Sequence, residues 1–134
     1  MKNILITGGS GFLGSHIAKS LITAGHNVII YDLNRPPSGL SSLKFISGDL
    51  LDKAALNKAM EGIDIVFHLA ALANLDEAKD KPIDTMNINV MGMVNLLEAA
   101  RINKIKRVIF SSSIYVYSQT GGFYRVSKHC CELL

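Results

Sequence analysis

The chain has 134 residues, of which 14 are basic and 11 acidic, giving a formal charge of +3; 49% of it is apolar and 19% charged. That size and apolar content suit one globular domain with a core of its own and exclude disorder, which needs few apolar residues and high net charge. The charge is spread along the chain with no long run of one sign, which argues against nucleic acid, and the longest apolar runs, such as Val28–Tyr31, fall far short of the ~20 residues of a membrane span.

Met1-Lys2 leads straight into Asn3–Thr7 and then glycines, with no small-residue cleavage site. From there short apolar runs alternate with helix-like segments. Ile4–Thr7 is the first expected strand, and Gly11–Ala24 the first helix, closed by Gly25. Asn27–Tyr31 is the second strand, and Arg35–Gly39 is a loop. Leu43–Ser47 follows as a third strand, Asp52–Glu61 as a helix stopped by Gly62, and Asp64–Leu69 as a fourth strand. Pro82–Asn103 is the longest predicted helix, with its proline in the first turn, where the missing N–H costs nothing. Met86, Val90, Met93, Val94, Leu97 and Ala100 recur in it at steps of three and four, an apolar stripe. Arg107–Ser111 is a fifth strand, and a last helix starts near Tyr124. The strands show little polar alternation, as expected when both faces are covered. The order βαβ-β-αβ-αβ-α predicts an α/β fold with right-handed crossovers. Cys130 and Cys131 are adjacent and do not suit an intrachain disulfide, so a reducing cytoplasm is the expected compartment.

Thr7-Gly8-Gly9-Ser10-Gly11-Phe12-Leu13-Gly14 stands between the first strand and the first helix. A G-x-x-G-x-x-G spacing is weak alone, but at a strand-to-helix turn, with a second strand ending in Asp32, it points to a dinucleotide. Gly8 permits the tight turn, Gly11 lets backbone approach a pyrophosphate, and Gly14 lets helix pack closely on strand. The N–H groups from Ser10 to Leu13 are expected to face the phosphates, aided by the helix dipole. Asp32 lies 18 residues after Gly14, near the spacing of an acid that bonds ribose hydroxyls. Its charge repels a 2′-phosphate and favours NAD, while Arg35, just beyond Asn34, leaves NADP open. His16, His26, His68 and His129 have no metal-ligand spacing, and no metal is expected.

These blocks, with Gly48-Asp49-Leu50, His68-Leu-Ala-Ala71, Asn89-Val-Met-Gly92, Ser111–Ser113 and Tyr124-x-x-x-Lys128, resemble the extended short-chain dehydrogenase/reductases, in particular the NAD-dependent sugar-nucleotide epimerases and dehydratases. The resemblance implies a Rossmann-type doubly wound parallel sheet, of which this chain supplies the first five strands and flanking helices. Residues 1–134 would be the NAD(P)-binding domain, cut within the catalytic helix, with a smaller C-terminal substrate domain beyond. By the same resemblance, Asp49 contacts the adenine amino group and Leu50 covers the ring. Leu69, Ala70 and Ala71 run beside ribose and phosphates, Ser111 serves cofactor packing, and Asn89 braces the backbone near the site. A homodimer paired through the Pro82–Asn103 helix and the last helix is also implied.

Tyr124 and Lys128 are four apart on a helix and share a face. A nearby ammonium and a nicotinamide ring both favour the phenolate that a general base needs. The implied roles are Tyr124 as base toward a substrate hydroxyl, Lys128 as its activator and holder of the nicotinamide ribose, and Ser113 as donor to the reacting oxygen. Dehydratases of this type carry Asp-Glu directly after that serine, where this chain has Ile114-Tyr115, so elimination is not expected. Epimerisation of a nucleotide sugar through a keto intermediate, or simple oxidoreduction, remains. The alternatives are a dinucleotide-binding module without turnover and an atypical reductase with a non-nucleotide substrate. The short segment Ser118–Phe123, where the family has a longer loop, speaks for the module, and retention of Ser113, Tyr124 and Lys128 speaks against it.

Overall fold

The computed structural model describes residues 1–134, whose strands pair into one parallel sheet. The strands are β1 (Asn3–Thr7), β2 (Asn27–Asp32), β3 (Lys44–Ser47), β4 (Ile65–His68) and β5 (Arg107–Phe110), in the spatial order β3-β2-β1-β4-β5. The helices are α1 (Phe12–Thr23), α2 (Lys53–Ala59), α3 (Leu75–Asp80), α4 (Pro82–Met86), α5 (Gly92–Ile102) and α6 (Gly122–Glu132). None is long and apolar enough to cross a membrane.

The strands lack polar alternation because helices cover both faces. Ile4, Ile6, Val28 and Ile30 pack with Ala18 of α1, while Leu5, Ile29, Tyr31 and Val66 pack with Leu56 of α2 and Met93 and Leu96 of α5. Ile4, Leu5 and Ile6 are at most 1% exposed, and full burial of such a side chain contributes roughly 1.5–3 kcal/mol. Ile4 pairs with Val28 on one side and Ile65 on the other, which fixes the register. The chain fills the sheet outward from β1 through β2 and β3, then returns to lay β4 on the other side of β1. That reversal leaves a crevice beyond the carboxyl ends of β1 and β4.

Two expectations need correction. Leu75–Asp80 is a helix that the sequence reading passed over, although Asn74 caps it by accepting from the N–H of Glu77 at 3.0 Å and the first turn is acidic. The single helix expected over Pro82–Asn103 is α4 and α5 joined by a π-turn at Asn87–Met91. Its buried face is also offset from the predicted stripe. Thr85, Asn89, Met93, Leu96, Ala99 and Ala100 are buried, whereas Val94 is 37% exposed. Two of those inward positions are polar and are bonded inside: the Thr85 hydroxyl donates to the Lys81 carbonyl at 2.8 Å, and Asn89 belongs to the network described below.

Candidate functional site

The turn after β1 is built by close backbone contact. Gly8 has φ +71° and donates its N–H to the Tyr31 carbonyl at 3.0 Å. A Cβ there would stand 2.6 Å from the backbone nitrogen of Ala70, and a Cβ on Gly14 would collide with the Gly8 carbonyl and lie 2.7 Å from Gly9 Cα. These contacts hold the first turn of α1 against the end of β1. The Ser10 N–H donates to Asp32 Oδ2 at 3.0 Å and the Gly11 N–H to the Gly8 carbonyl at 3.2 Å. The expectation that amides from Ser10 to Leu13 face a ligand is therefore corrected: the first is taken by Asp32 and the second by the turn itself. The N–H groups of Phe12, Leu13 and Gly14 have no partner, and they sit at the positive end of the helix dipole.

These amides open into a cleft of ≈ 680 Å³ at the switch point of the sheet. Of the residues expected at a cofactor, Gly8, Ser10, Gly11, Phe12, Leu13, Gly14, Asp32, Asn34, Asp49, Leu50, Leu69, Ala70 and Ala71 line it. The Asp32 carboxylate also accepts the Asn34 N–H at 3.0 Å, so both its oxygens are fixed by backbone donors at the rim. Arg35 is exposed and outside the lining. Sequence reasoning missed Tyr31, Leu33, Gly48, Leu72, Ala73, Glu77 and Ile88. Glu77 and Ile88 come from the segment whose helices were misread. Tyr31 is 1% exposed, and its hydroxyl donates to the Asp49 carbonyl at 2.7 Å, anchoring the loop after β3. Burial, with Asp52 and Asp49 nearby, pushes its pKa up to about 12, so it is a neutral donor there.

Asn89, Ser111, Tyr124 and Lys128 stand outside this lining. Asn89 is 3% exposed; its Oδ1 accepts from the Leu72 N–H at 2.8 Å, and its Nδ2 donates to the Leu72 carbonyl at 3.1 Å and to Ser127 Oγ at 2.9 Å. Asn89 thus ties the segment after β4 to α6. The Cys131 thiol donates to the Asn89 carbonyl at 3.3 Å, completing the tie.

Lys128, on α6, is 4% exposed, and its Nζ donates to the Ser111 carbonyl at 2.9 Å. The ammonium lies 4.7 Å from the centroid of the Phe110 ring and 5.9 Å from that of Tyr124. Burial holds its pKa below the ordinary lysine value, with Cys131 acting weakly the other way. His68, 1% exposed, shares a 2.7 Å hydrogen bond between Nδ1 and Thr7 Oγ1; burial first, and Lys128 second, lower its pKa to about 3, so it is neutral. Ser113 Oγ accepts the Tyr115 N–H at 3.3 Å, which leaves its own hydrogen free. The Tyr115 ring meets Tyr124 edge-on at 6.2 Å, whereas Tyr117 is 84% exposed. The serine end of β5 and the start of α6 therefore converge on Tyr124 and Lys128, one strand away from the cleft's β1–β4 crevice.

The same architecture occurs in proteins of known activity. UDP-glucose 4-epimerase of Yersinia enterocolitica is 36% identical over 129 residues, 87% of this chain and 38% of that enzyme. UDP-N-acetyl-alpha-D-glucosaminuronate decarboxylase of Bacillus cytotoxicus is 36% identical over 126 residues, covering 88% of this chain and 38% of that one. The crystal structure of UDP-glucose 4-epimerase from Brucella ovis in complex with NAD superposes with a TM-score of 0.90 at 33% identity, over 99% of this chain and 46% of that one. The chain thus spans about two fifths of the length of these curated relatives. A profile of the NAD-dependent epimerase/dehydratase family matches residues 4–129, from within β1 to within α6. Sequence, sheet order and cleft agree with that match, and the chain belongs to the NAD-dependent epimerase/dehydratase family.

Proposed function

We propose that these residues form the cofactor-binding and proton-transfer part of an enzyme that oxidises a nucleotide-sugar hydroxyl to a keto intermediate, as an epimerase does. The observation that carries the reading is the set of unpartnered amides of Phe12, Leu13 and Gly14, opening into the cleft that Asp32 also lines. These groups fit NAD: free amides at a helix start suit a diphosphate, and a fixed carboxylate suits ribose hydroxyls. Asp32 repels a 2′-phosphate, and Arg35 stands outside the lining, so NAD is favoured over NADP.

A bound NAD supplies the hydride-accepting chemistry. Tyr124 takes the proton of the sugar hydroxyl, and Ser113 donates its free hydroxyl hydrogen to the reacting oxygen. Lys128 keeps two N–H donors beyond the one held by Ser111, enough to grip a ribose while its charge faces Tyr124. Ile114 and Tyr115 offer no acid–base pair for water elimination, which favours epimerisation or plain oxidoreduction. The nucleotide-sugar class rests on the names of the relatives. A homodimer through α5 and α6 is supported by the apolar side chains they leave in solvent, Val94 and Ile102 on one and Phe123 and Val126 on the other; sedimentation measures it directly.

Titration with NADH, followed by nicotinamide fluorescence, tests the cleft. Tyr124→Phe is expected to bind NADH as the wild type does and to lose turnover of UDP-hexoses by at least a hundredfold, the scale of a positioned general base. NADH binding without any wild-type turnover would leave a dinucleotide-binding module instead.

A further inference from the structure

Lys128 is a buried ammonium without a counter-ion. It is 4% exposed, takes part in none of the salt bridges of the fold, and has the Ser111 carbonyl as its one hydrogen-bond acceptor. A charge in such a place is costly unless something replaces its lost hydration. Around it stand Phe110 from β5, His68 from β4, and Tyr124 and Cys131 from its own helix. Phe110 presents the nearest π-face, 4.7 Å away, well inside the ~6 Å over which a ring quadrupole attracts a cation. His68 packs on that same ring at 5.8 Å and 28°, its imidazole tied to the Thr7 hydroxyl.

We propose that Phe110 is a positioning residue for the reaction: its ring, backed by His68, stands in for the missing carboxylate and seats the Lys128 ammonium beside Tyr124. The inference rests on the reading of Lys128 as part of the proton-transfer group. An aromatic seat differs from an acidic one in its consequence. A carboxylate would neutralise the ammonium, whereas a ring face holds it and leaves the positive charge to act on the Tyr124 oxygen and on a ligand. In the sequence Phe110 reads as one more apolar residue of a strand, and a leucine would fill the space equally well but offer no quadrupole. The neutrality of His68 belongs to the same design, since an imidazolium against that ring would repel the ammonium.

The test replaces Phe110 with mono-, di- and trifluorinated phenylalanine, which keep the shape of the ring and weaken its negative face stepwise. The Lys128 titration is read by NMR on protein carrying carbon-13 lysine, its resonance identified by its loss in Lys128→Met. The Lys128 pKa is expected to fall with each fluorine, by roughly half to one and a half pH units in all, with the unfolding temperature little changed. Phe110→Leu is expected to lower it by a similar amount. A Lys128 titration that stays flat across the fluorinated series overturns the proposal, whatever Phe110→Leu does to folding. The underlying reading of Lys128 has a separate readout: NADH added to the wild type shifts the Lys128 resonance if the amine meets the ligand. A silent resonance would refute that reading while the fluorine series still decides the seat.

Discussion

Gly11→Ala separates binding from folding. Gly11 has φ −74°, which any residue adopts, and a Cβ there would meet only the Gly8 carbonyl, at 3.4 Å. Alanine caps a helix less well than glycine, so folding loses up to about 1 kcal/mol. The new methyl occupies the cleft beside the free amides of Phe12 and Leu13. A diphosphate displaced from one of them forfeits a hydrogen bond to a charged group, about 1.5–3 kcal/mol, which weakens NADH binding by roughly 10- to 150-fold. Gly14→Ala is the contrasting case, because its Cβ meets the backbone of Gly8 and Gly9, which cannot swing aside. It should cost about 1–3 kcal/mol or more of stability, as overpacking does. Urea unfolding and NADH fluorescence on both variants give the comparison. The reasoning fails if Gly11→Ala binds NADH within twofold of wild type, or if Gly14→Ala unfolds at the wild-type midpoint.

Asn89→Ala strips the Leu72 N–H and carbonyl and the Ser127 hydroxyl of a shared partner, and should destabilise by about 2–4 kcal/mol in urea unfolding. His68 titrates near 3 when folded and near 6.5 when free, so the unfolded chain binds more protons between those values. Its contribution is complete above the free value and is lost as pH falls, by about 2 kcal/mol from pH 7 to pH 5. The urea midpoint of His68→Asn should accordingly fall less over that range than that of the wild type. Lys128→Met removes a buried charge that has no acidic partner, and should raise stability at neutral pH by roughly 1 kcal/mol while abolishing turnover. A midpoint that drops would show the ammonium to be well compensated.

The sheet was legible because its residues are covered on both faces, and an uninterrupted run such as Ile4–Ile6 has few other meanings. The glycine turn was legible for a different reason: Gly8 and Gly14 stand where backbone meets backbone and no side chain fits. What escaped was polar or local. The inward face of the α4–α5 segment carries Thr85 and Asn89, so apolar periodicity pointed one residue off. The π-turn left no mark in composition. Lys104, with φ +55°, closes α5 as Gly25 closes α1, with the Ile105 N–H on the Ala100 carbonyl at 2.9 Å, but a lysine does not announce a left-handed cap. Asn74 and Glu77 did have the spacing of a capping box, and α3 could have been found from them. Engagement of the Ser10 and Gly11 amides depends on where Asp32 and Gly8 fall in space, which spacing alone does not carry.

The two ends of the sheet differ in what their polar groups engage, although the one buried side-chain atom without a partner, His26 Nδ1, lies at the amino end beside β2. At the amino end, the Asn3 N–H and the Lys106 ammonium both reach Asp64, at 3.0 and 2.6 Å, and the Asn3 side chain joins Gly62 and Asn27. At the carboxyl end, the Phe12, Leu13 and Gly14 amides are unpartnered, the Tyr124 hydroxyl makes no bond, and a lysine and a histidine are buried with their pKa values pushed down. Nothing in the strands requires this asymmetry, since their registers are regular throughout. A fold tolerates local cost where something other than folding selects the residues. The unsatisfied groups are also mutually suited: amides for an anion, an ammonium beside a phenol, and a free serine hydrogen. The brace from Asn89 to Leu72 and Ser127 connects them, because it ties the ledge of the cleft to the helix that carries Tyr124 and Lys128. Loss of that brace should therefore disturb catalysis more than NADH affinity, since the amides of α1 are held independently by Gly8 and Gly14.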